Sequence, residues 1–294
     1  MLLEILSVIA PLFVCSMLGF GWVRMGRDFD TSFISHLVTG IGAPCLIYST
    51  FMTVEVDLDA FKTMAGATLL SMTLFTLIGT VILRALQYDL RAFLPSQIFP
   101  NVGNMGLPLC LLAFGNEGLA LALTYFMVNV VFQFTVGNAI TAGTLSLRDI
   151  LRNPMFIAVV LTLICLFTGI HPPAWIQNTT ELLGGITIPL MLVALGVSLA
   201  RFRIKSLKRS LTLSLLRLVM GFLVGVGVAE LMGFQGVARG ILIVQCAMPV
   251  AVFSYLFAVR YNREPEEVAG TVVLSTVLSF LSLPLLLWYV LPQA

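Results

Sequence analysis

Long runs without a charged residue recur along the whole chain and constrain its fold more than any other feature. A membrane-spanning helix needs about 20 mostly apolar residues. Nine stretches of about that length lack Asp, Glu, Lys and Arg, and a tenth is interrupted only by Arg217. The ten stretches are residues 5–23, 31–54, 63–83, 92–116, 118–147, 153–180, 182–200, 210–229, 240–259 and 268–294. The pattern predicts an all-α integral membrane protein with ten transmembrane helices and short loops.

The basic residues indicate how these spans cross the membrane. If successive loops alternate between the two sides, 13 Lys and Arg residues fall on one side and only Lys62 and Arg239 on the other. An excess of Lys and Arg marks the cytoplasmic side. We therefore expect a multi-pass protein of the cell membrane with both termini outside the cytoplasm. The loops expected inside are 24–30, 84–95, 144–153, 201–209 and 260–267.

Five spans in each half predict two repeats of opposite topology, residues 1–151 and 152–294. An odd number of spans makes the second half enter the membrane from the other side, as in many secondary transporters. Two pairs of prolines occupy matching places: Pro44 with Pro189, 145 residues apart, and Pro108 with Pro249, 141 residues apart. The proline pairs support an inverted repeat.

The fourth span carries an unusual cluster of helix breakers, "PNVGNMGLP" (residues 100–108). In a regular soluble helix its two Gly and two Pro would cost roughly 8 kcal/mol relative to Ala. Unwound backbone is tolerated at membrane depth only where it is buried in protein or lines a cavity. We predict broken crossing helices in spans 4 and 9, with breaks near 103–106 and 247–249. The alternative is a kinked span whose asparagines bond neighbouring helices.

Breaks at these places would expose two helix N-termini near the middle of the membrane. Such ends carry unpaired N–H groups and about half a positive charge each, so they bind anions readily. The predicted substrate-binding residues are Asn101, Gly103, Asn104, Gly106, Pro108, Asn129, Gln133, Gln245, Ala247, Met248 and Pro249. Asn129 and Gln133 share a helix face and either line the same cavity or bond neighbouring helices. Arg217 lies eight residues beyond Arg209, and we expect it to extend to the cytoplasmic surface rather than clamp a substrate.

Other functional classes find little support in the sequence. It contains no Gly-rich phosphate loop, no His/Cys spacing typical of a metal site and no evident catalytic triad. The prediction is a transporter and not an enzyme, with no catalytic residues, no metal, no cofactor and no nucleic-acid partner. A channel is the rival class, but pores usually have charged rings or carbonyl filters in a symmetric oligomer.

Two stretches resemble a known family. "FPNVGNMGLPLCLLAFG" (99–115) resembles the fourth span of the auxin efflux carriers, which include plant auxin exporters and bacterial organic-acid permeases. "AMPVAVFSYLFAVRYN" (247–262) resembles the ninth span of the same family. The central loop, "LSLRDILRN", is far shorter than that of the large plant exporters, which fits a bacterial member in the inner membrane and argues against auxin itself as the substrate.

The resemblance implies a fold like that of bile acid symporters and sodium/proton antiporters. Spans 1, 2, 6 and 7 would form a scaffold, and spans 3–5 and 8–10 a transport unit that moves as an elevator. It further implies a homodimer assembled through the scaffold and a small carboxylate substrate, auxin-like or a dicarboxylate. Sodium or proton coupling of the bile-acid type is the alternative to simple uniport.

Overall fold

The computed structural model describes residues 2–53, 58–143, 154–168, 172–202 and 204–291. Within these ranges the chain is helical, with no β-strand. The α-helices are α1 (Leu2–Arg24), α2 (Thr31–Leu37), α3 (Ala43–Thr53), α4 (Leu58–Ala85), α5 (Leu90–Ile98), α6 (Leu107–Phe132), α7 (Asn138–Ala142), α8 (Pro154–Thr168), α9 (Ala174–Gly185), α10 (Thr187–Arg201), α11 (Leu207–Leu231), α12 (Gly236–Cys246), α13 (Val252–Arg260) and α14 (Pro265–Val290). The predicted boundary between the halves, at 151/152, and the loop 144–153 lie outside the described residues.

The predicted all-helical membrane character is confirmed by these elements. In the described part of the chain, seven continuous helical segments are long and apolar enough to cross a membrane. Shorter apolar helices cover Phe156–Cys165 and Gly236–Cys246. Widened π-helical turns occur at Val38–Gly42, Val102–Gly106 and Gln133–Gly137. The first and the third join consecutive helices without a loop, and the second leads directly into α6.

One group of helices packs around α1. This helix lies along α10, and α3 packs against both α8 and α9. The close approach of α1 and α10 depends on Gly19 and Gly196, because a Cβ atom on either would overlap the partner helix's backbone at Val193 or Ser16. Small residues that let backbones touch are the usual means of packing helices in a membrane.

A second group contains α4, α5, α6, α11, α12 and α14, which pack mainly on one another. The "GFLVG" stretch of α11 contacts α12: Gly221 lies against the carbonyl of Cys246, and Gly225 against Ile243 and the Cys246 side chain. Small residues four apart on α11 thus let its backbone approach α12 closely, a common way of packing membrane helices.

Gly115 divides α6 into two helical stretches. Its φ of 68° and ψ of −157° are non-helical, and only Gly adopts such a conformation without strain. No loop separates Phe114 from Asn116. The turn between the predicted spans 4 and 5 therefore falls on Gly115 alone.

Candidate functional site

Two broken helices meet back to back at an isolated antiparallel bridge between Pro100 and Val250. The break between α5 and α6 and the break between α12 and α13 are each extended at this point. Asn101 donates its backbone N–H to the carbonyl of Pro249 at 2.7 Å, and Ala251 donates its N–H to the carbonyl of Phe99 at 3.0 Å. The two hydrogen bonds form a nearly twofold-symmetric crossing of the chain with itself.

Pro100 determines where the first helix breaks. A residue that precedes proline is pushed out of the helical region, and Phe99 is indeed extended, with φ −97° and ψ 106°. In this bridge the N–H of each central residue points away from the opposite chain, so the missing N–H of Pro100 leaves no bond unmade. The corresponding N–H of Val250 is buried and donates to Ser275 Oγ at 3.1 Å.

The breaks differ in position from the sequence prediction in span 4. The chain is extended at residues 99–101, whereas residues 102–106 form a π-helical turn that leads into α6. Pro100, not the Gly residues, sets the break, and Gly103 and Gly106 lie inside the helical turn. The bridge pairs Pro100 with Val250, so neither Pro108 nor Pro249 lies at its centre, and the correspondence of these two prolines stays a prediction. In span 9 the break at 247–251 includes the predicted residues.

A cavity of about 60 Å³ lies on one side of this crossing. Its walls come from five parts of the chain: α2 with its π-helical turn, the α5–α6 break, the second half of α6 with its π-helical turn, α10, and the start of α13. The lining residues are Ile34, Ser35, Val38, Thr39, Pro100, Asn101, Val102, Gly103, Asn104, Phe126, Asn129, Val130, Gln133, Met191, Ala194, Ala251, Val252, Phe253 and Leu256. The volume admits a carboxylate group or a few water molecules.

Three amide side chains in this cavity have unused hydrogen-bonding atoms. Asn101 Nδ2, Asn129 Oδ1 and Gln133 Nε2 are buried and have no partner among the described residues. Each of these side chains is at most 4% exposed. A buried polar atom without a partner is costly, about 1–3 kcal/mol, so three around one cavity indicate that water or a ligand completes them.

Two helix N-termini point toward the same cavity. Gly103 and Asn104 belong to the first turn after the α5–α6 break, and Val252 and Phe253 begin α13. The first N–H groups of a helix have no partner within it. No Asp, Glu, Lys or Arg is among the described residues that line the cavity, so the partial positive charges of the two helix starts dominate its electrostatics.

Five of the predicted binding residues are brought together here and six are not. Asn101, Gly103, Asn104, Asn129 and Gln133 line the cavity. The other six, Gly106, Pro108, Gln245, Ala247, Met248 and Pro249, do not. Gln245 is fully buried against Gly106 and donates to the carbonyl of Ala122 at 3.4 Å.

The expectation that Arg217 extends to the cytoplasmic surface is wrong. Its side chain is completely buried at the crossing. It donates to the carbonyls of Gln97 at 2.7 Å and Met248 at 3.3 Å, and also to that of Cys246. Its guanidinium carbon lies 4.3 Å from the centre of the Phe75 ring.

The contribution of spans 2 and 7 to the cavity was missed. Ser35 and Thr39 come from the beginning of span 2, and Met191 and Ala194 from α10. A sequence signal existed, because each of these spans carries a proline, Pro44 or Pro189, near an irregular helical turn. From the sequence alone, these two prolines support only the repeat.

Comparison with known proteins agrees with this architecture. A family model described as a membrane transport protein matches residues 4–145 and 138–287. An uncharacterised transporter of Methanothermobacter thermautotrophicus is 25% identical over 272 residues, covering 87% of this chain and 88% of that protein. One from Methanocaldococcus jannaschii is 25% identical over 228 residues, 73% of either chain. Auxin efflux carrier component 1 of Arabidopsis thaliana is 26% identical over 152 residues, 49% of this chain and 24% of the plant protein.

An all-helical membrane protein with a cavity at a helix crossing is the class that these features define. The chain belongs to the auxin efflux carrier family of membrane transport proteins, since the family model covers nearly its whole length. It is therefore a membrane transporter, in a family of transporters and not of enzymes.

Proposed function

We propose that the protein is a secondary carrier that moves a small organic carboxylate across the membrane. The observation that carries this proposal is the uncharged cavity where two helix N-termini and three unpartnered amides converge. A carboxylate oxygen can accept hydrogen bonds from Asn101 Nδ2, Gln133 Nε2 and the first backbone N–H groups of the half-helices. Helix dipoles hold an anion without a fixed countercharge, which keeps binding weak enough for release.

Substrate size is limited by the cavity in this conformation. About 60 Å³ accommodates the carboxylate group but not the body of an indole acid. The remainder of such a substrate would extend past Phe126 and Leu256, two large apolar side chains of the cavity wall. The plant relatives are named auxin efflux carriers, whereas the archaeal relatives are named only transporters. We therefore propose a monocarboxylate with an apolar body, or a dicarboxylate, as the substrate class.

An elevator motion is the proposed mechanism. The α1, α3, α8, α9 and α10 group would be the scaffold, and the α4–α6 and α11–α14 group the transport unit, in a fold of ten spans and two inverted repeats. The packing of the two groups supports this division. The cavity lies between them, so sliding of one group past the other would change the side on which Asn101 is accessible.

A second cavity supports alternating access over a channel. It occupies about 410 Å³ at the other end of α3, between Thr53, Asn116 and Glu181. No described residue lines both cavities, and a channel would need a continuous path between them. In the proposed topology, the Asn101 cavity faces the cytoplasm and the second cavity faces outward.

Uniport driven by the substrate gradient and the membrane potential is the proposed energy source. A potential of 100 mV is worth about 2.3 kcal/mol per charge, enough to drive an anion outward. Sodium or proton coupling is the second candidate. Coupling through an ion usually needs a carboxylate at the cavity, and the described lining residues include none.

Transport by purified protein in lipid vesicles tests the proposal. Labelled malonate, malate, benzoate and indole-3-acetate would be offered separately under imposed potential, sodium and proton gradients. We expect saturable, potential-dependent flux of at least one acid and competition by the others. Failure to transport any acid, with clear flux of a neutral or cationic solute, would refute the carboxylate assignment. Strict sodium dependence would replace uniport by symport.

A homodimer formed through the scaffold completes the proposal. Large apolar side chains of α8, including Ile157, Leu161 and Ile164, are 45–53% exposed and available to lipid or to a second copy. The oligomeric state of the protein in nanodiscs, measured by mass photometry, would decide between these two partners.

A further inference from the structure

The C-terminal ends of both broken helices meet at Arg217. Helix α5 ends at Ile98 and α12 ends at Cys246. The three carbonyls that accept hydrogen bonds from Arg217 belong to the ends of these helices: Gln97 in α5, and Cys246 and Met248 at the end of α12. The crossing is thus polarised, with helix starts at the cavity and helix ends at the guanidinium.

Charge balance at Arg217 comes from backbone and not from a carboxylate. In the described part of the chain no Asp or Glu forms an ion pair with this side chain. Each helix C-terminus carries about half a negative charge, so two of them match one guanidinium. The flat Arg side chain also presents several N–H groups in a fixed plane, which one Lys ammonium cannot reproduce for three separate carbonyls.

We infer that Arg217 is the positioning residue that joins the two broken helices and keeps the cavity side of the crossing electropositive. By cancelling the negative helix ends, it leaves the positive starts near Gly103 and Val252 as the net charge that a substrate anion meets. This inference rests on the proposed function, because it assigns an electrostatic role toward a bound carboxylate.

Ligand discrimination separates this role from a purely structural one. We expect Arg217→Met to weaken indole-3-acetate binding about ten-fold while indole-3-acetamide, its neutral analogue, changes less than two-fold. Arg217→Lys keeps the charge and should retain most of the acid-over-amide preference. Arg239→Met is the control, since Arg239 pairs with Glu230 at 3.0 Å, away from the crossing. Isothermal titration of purified protein in detergent supplies the affinities; benzoate and benzamide replace the indole pair if benzoate is the better ligand.

Hydrogen exchange provides an arm that needs no ligand. The amides of Asn101 and Ala251 form the bridge hydrogen bonds, and we expect them to exchange at least ten-fold faster in Arg217→Met than in the parent. If the methionine variant does not assemble, the lysine variant carries the test, and the inference requires its acid-over-amide ratio to stay within three-fold of the parent.

Three results would overturn the inference. They are equal loss of acid and amide binding, unchanged acid binding in a folded Arg217→Met protein, and unchanged exchange at both bridge amides. If the parent binds neither these acids nor malonate or malate, the carboxylate proposal itself fails, while the exchange measurement still decides whether Arg217 joins the helices.

Discussion

The backbone N–H of Asn101 is bonded to the carbonyl of Pro249 at 2.7 Å, while the side-chain Nδ2 of the same residue has no partner. One residue thus fixes the crossing through its backbone and offers a free donor to the cavity. The separation of these roles means that the side chain can be changed without breaking the bridge.

Asn101→Ala should weaken carboxylate binding by about 10- to 150-fold, because a hydrogen bond to a charged group contributes about 1.5–3 kcal/mol. The thermal unfolding temperature of the detergent-solubilised protein should change little, since the lost donor has no protein partner. Asn178→Ala, at an exposed position of α9, is the control. Parent-like affinity in a well-folded Asn101→Ala protein would remove this residue from the substrate ligands.

The helical architecture could be predicted from the sequence because the information is local. Charge-free runs of about 20 residues must be helical in a membrane, and α1, α4, α11 and α14 follow directly from them. The proline rule also acts locally: Pro100 pushes Phe99 out of the helical region and so locates the first break, whereas Gly103 and Gly106 lie in the helical turn that follows.

The arrangement at the crossing could not be predicted because its contacts join distant parts of the chain. The bonds of Arg217 reach residues 29 to 120 positions away in sequence, so no spacing pattern reveals them. The cavity likewise combines spans 2, 4, 5, 7 and 9. Sequence identified Asn129 and Gln133 from a shared helix face, but nothing in it distinguished them from Gln245, which faces the packed interior.

The contact between Gly106 and Gln245 gives a second prediction. A Cβ atom at residue 106 would overlap the side-chain amide of Gln245, so Gly106→Ala should lower the thermal stability by displacing that amide. Removing the obstacle with Gln245→Ala should restore part of the loss, giving a favourable coupling of about 0.5–3 kcal/mol in a double-mutant cycle.

The matched control for this cycle is Gly227→Ala in α11, where a new Cβ meets nothing within 4 Å. Alanine should be tolerated there or slightly stabilising, because Gly is a poor helix former. Strict additivity of Gly106→Ala and Gln245→Ala would mean that the two side-chain positions do not compete for the same space.

The contact of α1 with α10 gives a third prediction. Gly196→Val should destabilise the protein by about 1–3 kcal/mol or more, since the added side chain meets the Ser16 backbone and cannot be relieved by a rotamer change. Gly21 lies on α1, and a Cβ atom there would meet nothing within 4 Å, so Gly21→Ala should leave stability unchanged. Fluorescence-detected size-exclusion chromatography after heating measures both, and equal behaviour of the two variants would contradict the tight packing of these helices.

The last prediction concerns orientation. Two contacts join three segments at one end of the bundle: Lys205 pairs with Glu266 at 3.1 Å, and Arg201 donates to Thr31 Oγ1 at 2.6 Å. These contacts join the segments around residues 29–31, 201–205 and 264–266, all of which the Lys and Arg excess assigns to the cytoplasm. Lys62 lies near the beginning of α4, which the proposed topology places at the opposite end of the bundle.

Lys205→Cys and Lys62→Cys form a matched pair for this test, because the two lysine side chains are 64% and 59% exposed and each forms one surface ion pair. In a background with all five native cysteines replaced, a membrane-impermeant thiol reagent should label residue 62 in intact cells and residue 205 only in inverted vesicles. Surface ion pairs contribute little to stability, so both variants should fold. Labelling of residue 205 in intact cells would reverse the orientation, and the Asn101 cavity would then open to the outside.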